Sequence, residues 1–275
     1  MPTRYKSSES TWRRFYVVLA LCCCLLFGGC LNSERVFTVF VASSMTEFIE
    51  LMLPELETQY PDLQVQVNIA GSGTLVNQIT EGATADVVLL AGANHMDRLQ
   101  SDNRFHPPVP VARNSLTVVV SSDVGGEVTT ISDLQDEGLR GAICADGAPC
   151  GALALAFSKA SDLDLSNATR EPNVKAVLSK VLRGEVDYGF VYRSDARLVG
   201  DELATIEPQG LDLFITSYSL ALADSDEVSL SFLELLTRPE AAKLLEELGF
   251  LRPVSYTHLR AHETVLDLVC RLLLE

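Results

Sequence analysis

The chain has 275 residues, 47% of them apolar, enough for one large domain or two lobes with cores of their own. Its 21 Lys and Arg meet 37 Asp and Glu, and the imbalance sits in residues 30–253, where 15 basic residues face 33 acidic ones. Such a surface repels nucleic acid and anionic lipid headgroups, which excludes both as partners; any anion it binds is held by local dipoles against the overall field.

The chain opens with Arg13 and Arg14, an apolar run over residues 15–27, and then Gly28, Gly29 and Cys30. A charged start, a short apolar stretch and small residues before a cut describe a secretory signal over residues 1–29, too short for a comfortable membrane span. Leu26-Phe27-Gly28-Gly29-Cys30 looks like a bacterial lipobox, with Cys30 as the lipidated first residue of the mature chain. Phe27 departs from the aliphatic residue usual at its position, so a plain signal peptide cut nearby stands as the alternative. At the other end, residues 254–264 (VSYTHLRAHET) look like sequencing-adapter sequence translated past the end of a truncated gene. Residues 254–275 are therefore set aside as a non-native tail. With Cys22, Cys23 and Cys24 in the signal and Cys270 in the tail, Cys144 and Cys150 remain, six apart. In an exported chain that pair is a disulfide candidate, with two free thiols as the other reading, and it is no metal motif.

Residues 36–41 (VFTVFV) predict a strand, Ala42-Ser43-Ser44 a small-residue turn with a hydroxyl at a helix N-cap, and Phe48, Ile49 and Met52 the apolar face of a helix closing at Tyr60-Pro61. Residues 63–70 alternate apolar and polar as a second strand. Gly71-Ser72-Gly73-Thr74 leads into a helix bearing Leu75, Val76 and Ile79 that stops at Glu81-Gly82. Residues 86–91 (DVVLLA) read as a buried parallel strand, and residues 95–99 as a further helical turn or two. This is an α/β layer, whose ligands collect at the carboxyl ends of strands, where Ser44 and Ser72 sit. Pro107-Pro108-Val109-Pro110 marks a boundary. A second α/β series follows: a strand over 115–121, a short element at 131–134, a strand over 141–145, a helix from about Cys150 to Ala160, a helix over 174–184 and a strand over 188–192. Residues 211–223 are extended, and helices over 227–237 and 239–247 finish the native part. The chain thus predicts a clamshell: a first lobe over residues 30–114, a second over 115–213 and a return to the first over 214–253. The extended segments 109–121 and 211–222 hinge it around a cleft.

A strand that ends in Ser and turns straight into a helix aims free N–H groups, a partial positive charge and a hydroxyl at one point, an anion site without a cationic side chain. One such turn is most often just a capped helix. Here Ser44 and Ser72 are matched in the second series by Pro149-Cys150-Gly151 before an apolar helix, by Asn173 as N-cap before Val174, and by Tyr192 at a strand end, a neutral donor.

Phe40-Val41-Ala42-Ser43-Ser44-Met45-Thr46, Gly71-Ser72-Gly73-Thr74-Leu75, Ala148-Pro149-Cys150-Gly151, Glu171-Pro172-Asn173-Val174 and Val191-Tyr192-Arg193-Ser194-Asp195-Ala196 together resemble the molybdate-binding proteins of bacterial molybdate ABC importers. The resemblance runs in order from about Val36 to Pro253 and rests on the order and spacing of motifs that are individually unspecific. It implies a two-lobed clamshell of the type II periplasmic-binding-protein kind, with two mixed or parallel sheets, flanking helices and extended hinges. It also implies that molybdate or tungstate is held by Ser44, Ser72 and Tyr192 side chains and by backbone amides at Cys150 and Val174. The partners it implies are a membrane permease and its cytoplasmic ATPase. The chain would be an exported, lipid-anchored monomer facing the periplasm or cell exterior, with no catalysis and no cofactor beyond its ligand. Cys150 stands where many relatives have Ala, although only its N–H is needed, and Gly71 and Gly73 replace hydroxyl residues, an expected loosening around Ser72.

A tetrahedral dianion offers only acceptors, so a shell of donors satisfies it, whereas a protonated phosphate brings a donor that meets no acceptor, at a cost of ~1–3 kcal/mol. Sulfate must be rejected by cavity size. The rival readings are a binding protein for sulfate, phosphate, an organic anion or ferric ion, and a serine hydrolase. Iron would want a cluster of Tyr, His or carboxylates, and only Tyr192 is in evidence. A hydrolase needs a base, and residues 30–253 hold two His: His95, expected on a helix surface, and His106, expected in a loop. There is no Gly-x-Ser-x-Gly elbow, and Gly71-Ser72-Gly73-Thr74 lacks the Lys of a P-loop.

Overall fold

The computed structural model describes residues 35–101, 103–207 and 214–253. The signal, the lipobox with Cys30 and the tail from residue 254 lie outside them, as does the start of the extended run at 211–213.

Among the described residues nine strands form one sheet in the order β2-β1-β3-β9-β4-β7-β5-β6, with β8 also on β4. The first half holds β1 (Arg35–Ala42), β2 (Leu63–Ala70) and β3 (Val87–Ala91). It is completed by β9 (Ile215–Leu222) and the beginning of β4 (Val109–Val120). The second half holds the rest of β4, β5 (Gly141–Cys144), β6 (Thr169–Glu171), β7 (Tyr188–Tyr192) and β8 (Ala204–Ile206). Within each half the strands that lead into helices run parallel, β1 with β3 and β5 with both β6 and β7. The returning strand β9 is antiparallel to β3, and β4 is antiparallel to β7 and β8.

The halves join through β4. Val109 to Ser115 pair with β9, and Leu116 to Val120 pair with β7. The Pro-rich stretch is therefore the entry to a twelve-residue strand, irregular between Pro110 and Ala112 where proline cannot donate to the ladder. The two extended segments expected as hinges are, where described, hydrogen-bonded to each other.

Helices cover both faces. In the first half these are α1 (Thr46–Gln59), α2 (Ser72–Thr80), α3 (Ala93–Gln100), α7 (Glu227–Thr237) and α8 (Pro239–Glu247). The second half has α4 (Pro149–Ser161), α5 (Val174–Leu182) and α6 (Arg193–Val199). Phe37, Phe48 and Phe232 fill one face of the first half, with Phe37 and Phe232 edge to face at 5.7 Å. Phe40, Leu75, Val88 and Met96 fill the other. All five residues of β3 and of β7 are buried, the pattern of strands covered on both sides. Short β6, β8 and α6 have too few residues to show a period in sequence. Among the described residues no helix is long and apolar enough to cross a membrane.

Candidate functional site

A small cavity lies where six strand ends from the two halves meet. One wall is Ala42, Ser43, Ser44, Gly71, Ser72 and Ala91; the other is Ala148, Pro149, Cys150, Asn173, Val174 and Tyr192. Its volume, ≈ 20 Å³, exceeds the roughly 10–15 Å³ that one water requires and is far below the roughly 300–1,000 Å³ of pockets for organic ligands. Among the described residues no charged side chain lines it. The five residues expected to bind, Ser44, Ser72, Cys150, Val174 and Tyr192, all line this one cavity.

On the first wall, Ser44 is not the helix cap expected of it. The chain leaves β1 through a 3₁₀ turn, Ser43–Met45, before α1 begins, and no side chain caps either start. The Ser44 hydroxyl is used elsewhere: it lies 2.8 Å from the Tyr218 hydroxyl, both groups buried. Ser72 opens α2 directly after Gly71 and accepts a hydrogen bond from the Ala91 N–H at 2.9 Å. At Gly71 a Cβ would stand 2.8 Å from the Pro172 carbonyl oxygen, so glycine is what lets the two walls approach.

The second wall is held by its backbone. Cys144 and Cys150 are joined in a disulfide, and Pro149 takes the first position of α4, where its missing N–H costs nothing. A Cβ on Gly151 would fall 2.1 Å from the Ala145 carbonyl oxygen, so only glycine fits this tight return. Asn173 caps α5 as expected, its Oδ1 accepting from the Ala176 N–H at 3.1 Å. That leaves the first-turn amides of α4 and α5, at Cys150 and Val174, without intrahelical partners. The Tyr192 hydroxyl is buried and, among the described residues, has no hydrogen-bond partner of normal geometry, although Thr216 approaches it. Burial, then the nearby Tyr218 and Asp195, push its pKa well above the phenol range and keep it a neutral donor.

Charge is kept just outside the cavity. Lys175, next to Val174, reaches Glu47 of α1 at 2.6 Å and Asp195 of α6 at 3.0 Å, and so ties the two halves together. Asp195 also accepts from the Tyr192 N–H at 3.2 Å. Burial raises the Asp195 carboxyl to about 6 despite Lys175. Burial alone would lower the Lys175 ammonium, but the Asp195 and Glu47 charges outweigh it and raise it. His95 is a correction: it is buried, not on the surface, and packs where Gly73 of one half faces Gly147 of the other. Burial lowers its pKa, with the Gly147 carbonyl opposing, and its Nε2 has no hydrogen-bond partner among the described residues, so no Ser–His pair forms there. His106 lies in a loop, within 3.0 Å of the Ser225 hydroxyl. Among the described residues no group of three or more His, Cys, Asp or Glu is placed to hold a metal ion.

Sequence reasoning missed Tyr218, Lys175, Glu47 and Asp195. Their signal is tertiary, since Tyr218 and Ser44 are 174 positions apart.

A family model described as bacterial extracellular solute-binding protein matches residues 37–251. The molybdate-binding protein ModA of Mycobacterium tuberculosis is 26% identical over 230 residues, which span 82% of this chain and 88% of that protein. Its namesake in Escherichia coli is 28% identical over 240 residues, 81% of this chain and 91% of that protein. Among solved structures, the periplasmic molybdate-binding protein of Azotobacter vinelandii superposes with a TM-score of 0.67 at 18% identity, covering 79% of this chain and all of that one. The sulfate-binding protein SubI of Mycobacterium tuberculosis superposes at 0.66 with 16% identity, covering 81% of this chain and 88% of that one, a likeness of fold.

Proposed function

The chain belongs to the bacterial extracellular solute-binding proteins, and on that premise we propose that it captures molybdate or tungstate as an oxyanion and delivers it to an ABC permease driven by a cytoplasmic ATPase. The observation that carries this reading is the small cavity lined by Ser, Tyr and the helix-start amides of both halves, with no charged side chain. Ser44, Ser72 and Tyr192 donate from side chains; Cys150 and Val174 donate from the backbone. Helix starts add partial positive charge, which holds a dianion in a chain of strongly negative net charge. The named activities of the ModA relatives support this cargo over other small anions. The chain does no chemistry of its own in this reading and works as a monomer. Cys30 carries the lipid that holds it at the outer face of the cell membrane, behind a signal that ends at residue 29.

Thermal unfolding of the full chain with molybdate, tungstate, sulfate or phosphate tests this. A ligand at 100 times its dissociation constant stabilises by ~2.7 kcal/mol, a clear rise in midpoint. Molybdate and tungstate raise the midpoint and sulfate and phosphate do not. A rise with sulfate or phosphate alone would replace the cargo, and no rise with any of the four would sink the reading.

A further inference from the structure

A serine hydroxyl has one proton, and a hydroxyl that receives a hydrogen bond from behind is set to give its own proton forward. For Ser72 the direction is fixed by chemistry, because its partner is the Ala91 N–H, which only donates. For Ser44 the partner is the Tyr218 hydroxyl at 2.8 Å, which can donate or accept. The direction there depends on what stands behind Tyr218.

Tyr218 lies on β9 in the seam between the halves, wholly buried. Its ring meets Tyr192 edge to face at 6.3 Å and Phe250 at 5.5 Å, so it touches a cavity residue of each wall. Ser44 is the partner at hydrogen-bond distance from the phenol oxygen, and Asn114 of β4, also fully buried, gives a hydrogen bond from its Nδ2 to the Ser194 hydroxyl at 2.8 Å with its amide beside the same phenol. A buried phenol gives its proton to the acceptor within reach, and that acceptor is Ser44. Burial holds the Tyr218 pKa far above the usual range, so that proton stays in place.

We propose that Tyr218 is a positioning residue that makes Ser44 an obligate donor, through the buried hydrogen bond from the Tyr218 hydroxyl to Ser44, and thereby sets the site's preference for fully deprotonated anions. This rests on the oxyanion reading above and adds the source of its selectivity. With both serines backed by donors, the first wall offers a bound anion protons only. An anion that carries a proton of its own finds no acceptor there. Without the phenol hydroxyl, Ser44 is free to turn and accept.

The test is calorimetric titration of the full chain with molybdate, and with phosphate by competition, at mildly alkaline pH where phosphate carries one proton. Tyr218→Phe keeps the ring contacts and removes the hydroxyl. It weakens molybdate ~10-fold, the worth of one hydrogen bond to a charged ligand, and narrows the molybdate-to-phosphate preference by a similar factor. In a Ser44→Ala background the same substitution changes molybdate affinity less than about 2-fold, because it acts through Ser44. Asn114→Ala, which leaves the ring in place, moves the preference in the same direction by less, and serves as the second variant if Tyr218→Phe folds poorly. Equal loss for both anions, or a loss that persists undiminished without the Ser44 hydroxyl, would overturn the proposal while leaving the oxyanion reading intact. Failure of the unsubstituted chain to bind any of the anions would overturn both.

Discussion

The wall that carries Ser44 and Ser72 presents side-chain hydroxyls to the cavity, and the wall that carries Cys150 and Val174 presents helix starts. On the first, each hydroxyl is backed by a group from elsewhere in the fold, the Ala91 N–H for Ser72 and the Tyr218 hydroxyl for Ser44. On the second, two helix starts line the cavity, and Pro149, the Cys144–Cys150 disulfide and the Asn173 cap hold the chain in place around them. The lesson concerns what each wall demands of the sequence. The first requires particular residues, whereas the second requires a particular path of the chain and tolerates many side chains along it.

The comparison breaks most easily on the side-chain wall. Ser44→Ala and Ser72→Ala each weaken molybdate ~10–100-fold by titration, since a hydrogen bond to a charged group is worth about 1.5–3 kcal/mol. Retained affinity in both variants would remove the two serines from the site. On the backbone wall the matching change is Val174→Pro. Proline suits the first position of α5 and deletes only the N–H, and Asn173 before it is already extended, as proline requires. Affinity falls ~10-fold, the value of one amide donor to an anion, while Val174→Ala leaves it within about 2-fold. Equal effects of Val174→Pro and Val174→Ala would mean that the side chain, not the amide, matters there.

The tie between the walls has its own signature in pH. Asp195 is raised from 3.8 to about 6 by burial, so between those values the folded chain holds a proton that the unfolded chain has released. Asp195 by itself therefore adds about 1 kcal/mol of stability as pH falls from 7 to 5, the reverse of what an ordinary salt-bridged carboxylate does, while His95, whose pKa burial lowers, acts against it over the same range. The exposed carboxylates Asp133 and Asp164, held below their usual range by hydrogen bonds from neighbouring backbone N–H groups, act only at lower pH and in the opposite sense. Urea unfolding at several pH values checks this: relative to the unsubstituted chain, Asp195→Asn loses the gain at pH 5, and an identical pH profile in the two proteins would remove Asp195 as its source. The smallest effect is at Gly71→Ala, whose new Cβ would press on the Pro172 carbonyl oxygen only when the walls are together. Affinity drops ~3-fold through a smaller closed fraction, with the midpoint of the ligand-free chain unchanged.

Much of this was legible in the sequence, for a physical reason. Strands β3 and β7 are covered on both sides and show as unbroken apolar runs, and helices α7 and α8 have strong boundaries, Asp226 capping one and Pro239 opening the other. The residues that line the cavity were legible because they stand at turn and helix-start signals, where Gly, Ser, Pro and Asn have positional meaning. What stayed hidden is what tertiary contact alone decides. Ser44 gives up its role as a cap for Tyr218, a partner far along the chain. His95 looked like a surface residue because its helix is polar in sequence, yet the second half closes over it at Gly147. Lys175, Glu47 and Asp195 read as ordinary helix charges until the fold brings three helices together.

The most direct test of the central claim is a crystal structure of the full chain with molybdate, located by the anomalous signal of the metal. One peak is expected between the walls, with the anion's oxygens within hydrogen-bond distance of the Ser44, Ser72 and Tyr192 hydroxyls and the Cys150 and Val174 amides. A peak at another place on the molecule, or an anion in this cavity held by charged side chains in place of these donors, would contradict it.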